Sequence, residues 1–215
     1  MNTRGFIFDL DGVIVDTAKY HFLAWKKLAN DIGIDFTHEQ NEQLKGVSRV
    51  KSLEKILSWG NKVISEDEFM ELMAKKNDDY LSYIAQMDAH EILSDVPKIL
   101  TYLTDNKIPV ALGSASKNAR VILQKVNLIT LFNAIVDGND VTKAKPDPEV
   151  FLTAAQKLGI APENCVVFED SLAGIQAAKN ANMIAIGIGE AAILNEADFV
   201  FKDFTEIDLQ FIAQL

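Results

Sequence analysis

The chain has 215 residues, of which 48% are hydrophobic and 24% charged, and its formal net charge is −10. This composition is that of an ordinary globule with room for one large domain, or a domain carrying an inserted smaller one. It argues against generic nucleic-acid binding, which needs clustered Lys and Arg. No apolar run nears the roughly 20 residues of a membrane-spanning helix, and the N-terminus lacks a secretory pattern.

In chain order, Phe6-Ile7-Phe8-Asp9-Leu10-Asp11-Gly12-Val13 comes first. An apolar, β-rich run ends in a carboxylate, and a second carboxylate and a glycine follow. The run reads as a buried strand that delivers two acids to the end of a sheet. In open α/β sheets, ligands bind off the carboxyl ends of the strands. Residues i and i+2 of an extended chain point the same way, so Asp9 and Asp11 would face one ligand. The alternative is a strand and an ordinary Asp-Gly turn.

Tyr20, Leu23, Ala24, Leu28 and Ile32 recur at helical spacing, and Gly33 closes that helix. Shorter helices follow over 37–59. Ser65 three residues before Glu68 matches a capping box and opens a helix through Phe69, Leu72, Met73, Tyr80 and Ile84. No strand is predicted from 17 to 87. Helix and strand then alternate: a helix from Pro97, strands at 109–113, 134–136, 165–168 and 183–186, and helices at 119–126, 148–158 and 172–181 between them. A short strand at 199–201 and a helix near Leu209 end the chain. Such alternation predicts an α/β core with a parallel sheet covered by helices. The core would comprise residues 1–16 and 90–215, with an all-helical insertion over 17–89.

Three polar clusters follow predicted strands or their loops. Gly113-Ser114-Ala115-Ser116-Lys117-Asn118 precedes a helix, where free N–H groups suit an oxyanion; it would also serve as a plain N-cap. Lys143-Ala144-Lys145-Pro146-Asp147-Pro148 holds a lysine extended before a proline, or is a solvated loop. Glu169-Asp170-Ser171 puts two acids at a strand end, a hard-oxygen set that suits Mg²⁺, or caps the next helix. Gly187-Ile188-Gly189-Glu190-Ala191-Ala192 fits a loose dinucleotide fingerprint, but too little chain follows, and a glycine-rich turn explains it. The single cysteine, Cys165, reads as a core residue in a strand and fits a cytoplasmic location.

Asp9-Leu10-Asp11-Gly12-Val13, Ser114, Lys145 and Glu169-Asp170, taken in this order, resemble the four motifs of the haloacid dehalogenase-like phosphotransferases. The resemblance spans the chain and implies a Rossmann-like core with a helical cap domain. Within the family, Asp16 to Trp25, Glu42 to Arg49, Lys75-Lys76-Asn77-Asp78 and the Ser114–Asn118 loop resemble the hexose-phosphate mutase branch. That branch implies an intramolecular phosphotransferase, an isomerase, converting β-D-glucose 1-phosphate to glucose 6-phosphate through β-glucose 1,6-bisphosphate.

By this resemblance Asp9 is the nucleophile that becomes an aspartyl phosphate, and Asp11 is the general acid/base. Mg²⁺ would be held by Asp9, the Asp11 main-chain carbonyl and Asp170, with Glu169 beside it or outside the ligand set. Ser114, Ala115 and Lys145 would grip the transferring phosphate. Arg49, Ser116, Lys117 and Asn118 would hold the second phosphate. Lys45, Gly46, Val47, Ser48, Ser52, Lys76 and Asn77 would contact the sugar or close around it. His21 would couple substrate binding to the placement of Asp11, and Trp25, one turn on, is a further substrate-binding candidate that could equally be core packing. Asp16-Thr17 and Ser94-Asp95 are the candidate hinges. The expected partners are the hexose phosphate and the bisphosphate, with no nucleic acid or membrane, and the expected state is a monomer. A phosphatase on the same core would share Asp9, Asp11, Ser114, Lys145 and Asp170. A non-catalytic sugar-phosphate-binding protein would tend to lack one of the two acids.

Overall fold

The computed structural model describes residues 4–44 and 47–215. Of the candidate ligand-binding residues, Lys45 and Gly46 lie outside the described residues. The chain divides into two compact units, Met1–Asp16 with Asp88–Leu215, and Thr17–Met87.

The elements run β1 (Gly5–Phe8), α1 (Ala18–Asp31), α2 (His38–Glu42), α3 (Arg49–Trp59), α4 (Glu66–Ile84), α5 (Val96–Asp105), β2 (Val110–Gly113), α6 (Ala119–Lys125), β3 (Ala134–Val136), α7 (Glu149–Leu158), β4 (Cys165–Glu169), α8 (Leu172–Asn180), β5 (Ile184–Ile188), β6 (Phe199–Phe201) and α9 (Leu209–Gln214). The strands form one parallel sheet in the order β3-β2-β1-β4-β5-β6. The chain works outward from β1 to β3, then crosses to β4 on the other side of β1. The place where the order reverses is therefore between β1 and β4, where an α/β sheet opens a crevice.

Register decides what meets there. Phe8 pairs with Phe168, so Asp9 and Glu169 leave the sheet side by side. The Asp9 N–H donates to Phe168 O at 3.0 Å, which carries the pairing one residue beyond β1. Phe8 also pairs with Leu112, which brings the residues after β2 alongside.

β1 is buried at all four positions and β4 at all five, as central strands of a sheet covered on both faces must be. One apolar layer gathers Ile7, Ala111 and Val167 with Phe151 of α7 and Ile175 of α8. On other positions of the same strands, Phe8 stacks on Phe168 at 4.7 Å, and Phe204 tilts against Phe168 at 5.4 Å. α7 starts at Glu149, just after Pro148, whose missing N–H costs a helix start nothing, and Gly159 at φ 70° ends it.

The regular elements among the second unit's described residues are all helices. Trp25, Leu28 and Ala29 of α1 pack with Leu53, Ile56 and Leu57 of α3 and with Phe36. α4 opens with the reciprocal bonds of a capping box. The Glu68 N–H donates to Ser65 Oγ at 3.2 Å, and the Ser65 N–H donates to Glu68 Oε2 at 3.1 Å. Thr37 and Gln40 make a second box at α2.

One local expectation is corrected. Asp9 to Asp11 is not extended chain. β1 stops at Phe8, and the N–H groups of Ile14 and Val15 turn back to Leu10 O at 2.9 and 3.1 Å. Gly12 sits at φ 79°, which a side chain resists. The strand and the Asp-Gly turn are thus both real, and the turn sets how the acids are presented. The Gly187–Gly189 stretch is the end of β5 and a turn whose Gly189 N–H donates to Phe201 O at 2.8 Å. No helix among the described residues is long and apolar enough to cross a membrane.

Candidate active site

At the reversal point, Lys145 Nζ lies 2.5 Å from Asp9 Oδ1 and 2.5 Å from Glu169 Oε1. All three side chains are buried, and the ammonium also stands over the Phe151 ring at 4.8 Å. Lys145 comes from the loop before α7, so residues 136 positions apart meet in one ion pair. Its bond to Pro146 is cis.

Glu169 is held at its other oxygen as well. Oε2 accepts from the Ser171 N–H at 2.7 Å and from Ser171 Oγ at 3.0 Å. Ser171 Oγ in turn accepts from the Gly174 N–H at 3.1 Å and so caps α8. Of the two readings of Glu169-Asp170-Ser171, the helix cap is seen here, with Ser171 in that role. Two glycines leave room for the acids. A Cβ on Gly174 would lie 1.9 Å from the Glu169 carboxyl, and one on Gly12 would lie 2.2 Å from Asp170 Oδ2. The second places the Asp170 carboxyl against the Asp9–Gly12 turn.

Burial raises the Asp9 carboxyl to about 7; Lys145 pulls it down, while Glu169 and Asp11 push it further up. Burial alone would depress Lys145, but Asp9 and Glu169 outweigh it and hold the ammonium above the usual lysine range. Asp9 and Glu169 thus share one ammonium, Asp11 is close enough to Asp9 to act on it, and Asp170 lies against the Gly12 turn. Hard oxygen donors with surplus negative charge fit Mg²⁺. Among the described residues, no three His, Cys, Asp or Glu side chains converge to hold a metal by themselves. The set read from sequence needs only Asp9, Asp170 and a main-chain carbonyl of Asp11. Glu169 is engaged at both oxygens, by Lys145 and by Ser171.

Ser114 is buried at the end of β2, where its N–H donates to Val136 O at 3.0 Å. Ser114 Oγ accepts from the Ser116 N–H at 3.1 Å, and Ser116 Oγ accepts from the Asn118 N–H at 3.3 Å. These consecutive hydroxyl turns shape the loop into α6. The loop after β3 supports it. The Gly138 N–H donates to Ser116 O at 3.2 Å, and a Cβ on Gly138 would strike Ala115 O at 2.4 Å. Arg120 ties that loop down through Asp137 at 2.9 Å and Asp140 at 2.8 Å. The sequence reading passed over this triad. Its only signal was Asp137-Gly138 directly after a strand.

The second unit has a cluster of its own. Lys76 is 2% exposed and its Nζ lies 3.0 Å from His21 Nδ1. The rings of Trp25 and Tyr80 stand 4.7 and 4.6 Å from that nitrogen. Burial, then the charges of Lys76 and Arg49, hold His21 well below its ordinary 6.5. Arg49 is the first residue of α3, and Ser48 caps that helix by accepting from the Lys51 N–H at 3.4 Å. Ser52 and Trp25 are buried, whereas Val47 and Asn77 are half-buried. Trp25 packs in the apolar cluster and meets Lys76. Tyr80 is the member the sequence reading missed, because an aromatic at helical spacing reads as core.

A family model for haloacid dehalogenase-like hydrolases matches residues 3–182. The chain belongs to this family. It is 43% identical over 213 residues to a β-phosphoglucomutase of Bacillus subtilis, a likeness that covers 98% of this chain and 94% of that one. A crystal structure of β-phosphoglucomutase from Clostridium difficile superposes with a TM-score of 0.95 at 40% identity, over 99% of this chain and 96% of the other. A phosphorylated carbohydrates phosphatase of Thermotoga maritima is 29% identical over 182 residues, 82% of this chain and 81% of its own. The α/β core with a parallel sheet, expected from the alternation of elements, is the fold of these haloacid dehalogenase-like relatives.

Proposed function

We propose that the protein interconverts β-D-glucose 1-phosphate and glucose 6-phosphate, with β-glucose 1,6-bisphosphate as the intermediate. The observation that carries this reading is the full-length likeness to β-phosphoglucomutase, which extends through residues 17–87 as well as the sheet unit.

Phosphoryl transfer needs an in-line nucleophile and neutralised phosphoryl oxygens. Asp9 is the nucleophile. Its oxygen bonds to phosphorus as the bond from phosphorus to the sugar oxygen breaks, and that oxygen takes a proton from Asp11. In the return step the other sugar hydroxyl attacks the aspartyl phosphate and gives its proton to Asp11. Lys145 favours the ionised, attacking form of Asp9, since its charge opposes the rise caused by burial. Ser114, the Ala115 N–H and Lys145 hold the transferring phosphate. Mg²⁺ held by Asp9, the Asp11 carbonyl and Asp170 would let carboxylate and phosphate approach by screening their charges. Glu169 positions Lys145.

For the second phosphate the candidates carried over from the family resemblance are Arg49, whose planar guanidinium suits a phosphate, and, in the sheet unit, Ser116, Lys117 and Asn118. His21 and Lys76 act as a pair toward the sugar phosphate, with Trp25 behind the lysine. Lys45, Gly46, Val47, Ser48, Ser52 and Asn77 are the further candidates for sugar contacts. The lone cysteine supports a cytoplasmic setting, and we take the monomer as the working unit.

The test supplies β-glucose 1-phosphate, Mg²⁺ and a trace of the bisphosphate, and follows glucose 6-phosphate and free phosphate together, with the α-anomer in parallel. Glucose 6-phosphate from the β-anomer, with little free phosphate, is the expected result. Free phosphate as main product would replace this reading with a phosphatase, the activity named for the Thermotoga maritima relative.

A further inference from the structure

Tyr80 lies one helical turn beyond Lys76 on α4 and is 1% exposed. Its ring stacks on the His21 imidazole of α1, with centroids 4.3 Å apart and planes 29° apart. The same ring stands 4.6 Å from Lys76 Nζ, and Trp25 stands 4.7 Å from it. One aromatic side chain therefore touches both members of the pair that Lys76 and His21 make at 3.0 Å.

The chemistry of that pair fixes a proton. An ammonium has only donors, so His21 Nδ1 must accept. The proton of the neutral imidazole then sits on Nε2, which becomes a donor. Burial and the neighbouring charges of Lys76 and Arg49 keep the ring neutral. Two ring faces around a desolvated ammonium attract it where water does not, and a stacked ring limits rotation of the imidazole.

We infer that Tyr80 is a positioning residue that holds His21 and Lys76 as one unit, with the imidazole in its Nε2–H form and the ammonium seated between two rings. The role of that unit in binding rests on the mutase reading above; its geometry does not.

The experiment compares full-length wild type, Tyr80→Phe and Tyr80→Leu. The readouts are the 15N signature of His21 in ligand-free protein, kcat and KM for β-glucose 1-phosphate, and labelling of Asp9 by acetyl phosphate, which carries no sugar. Wild type and Tyr80→Phe should show an unprotonated Nδ1 and a protonated Nε2. Tyr80→Leu should show mixed tautomers and a KM raised about tenfold, with acetyl phosphate labelling unchanged. Should Tyr80→Leu fail to fold, Tyr80→Met fills similar space without a ring face and takes its place. A wild-type His21 protonated at Nδ1 overturns the inference outright. So does a folded Leu or Met variant with wild-type signature and KM, or a Phe variant as impaired as the Leu one. If wild type does not convert β-glucose 1-phosphate, the mutase reading falls, and the 15N comparison alone decides the role of Tyr80.

Discussion

Loss of Lys145 would leave Asp9 and Glu169 buried beside each other without the cation they share. Breaking a buried ion pair on one side costs about 3–5 kcal/mol. We expect Lys145→Met to lose about 3 kcal/mol near pH 8 and less near pH 5, where Asp9 can take a proton instead; urea denaturation at the two pH values checks this. The sign follows from the raised carboxyl. Asp9 moves from 3.8 to about 7 on folding, so the folded chain holds its proton more tightly. That contribution to stability is complete below about pH 4 and is lost as pH rises through 7. His21 acts in the opposite sense. Its lowered value means that the unfolded chain takes the proton first, so stability falls as pH drops below 6.5. Each slope is at most about 1.4 kcal/mol per pH unit. Asp9→Asn should remove the first slope and His21→Asn the second, read from stability curves of metal-free protein. Asp9→Asn should also lower kcat by about a thousandfold or more, through loss of the nucleophile.

At the level of elements, α8 gives a case in which two principles disagree. Gly174 lies in its first turns, and alanine there would favour the helix by up to about 1 kcal/mol. Yet the added Cβ would sit 1.9 Å from the Glu169 carboxyl, which is pinned by Ser171 and Lys145. Overlap with a held side chain should win. Gly174→Ala is expected to lose about 2 kcal/mol and most of the activity. A gain in stability with full kcat would mean that Glu169 moves freely. The control is in α4. Ser65→Ala removes a cap remote from any proposed ligand contact, and should cost about 1 kcal/mol in urea melts with kcat unchanged.

For the whole molecule, a divalent cation held at the proposed site by Asp9 and Asp170 would bind the folded state. Binding to the folded state alone raises Tm by mass action. Millimolar Mg²⁺ should raise the Tm of the wild-type protein but not of Asp170→Ala, and EDTA should stop turnover until Mg²⁺ is restored. An equal rise in the Asp170 variant would place the cation elsewhere. The net charge of −10 does not by itself oppose binding of an anionic sugar phosphate, because a local cation such as Lys145 can outweigh it.

The sequence by itself determined the class of fold. Strands covered on both faces are short apolar runs, and Phe6–Phe8 and Cys165–Phe168 are legible for that reason. Ser65 and Glu68 were legible because a capping box is local chemistry. Asp9, Asp11, Lys145 and Glu169 stood out as charges after strands, but nothing local said that Lys145 would lie between two of them. Strand order and register decided that, because placing Phe8 beside Phe168 brings together residues far apart in the chain. The turn at Gly12, the space kept at Gly174 and the Arg120–Asp137–Asp140 tie are likewise tertiary. So is Tyr80, since a helix pattern says that a ring is buried and only packing says what it touches.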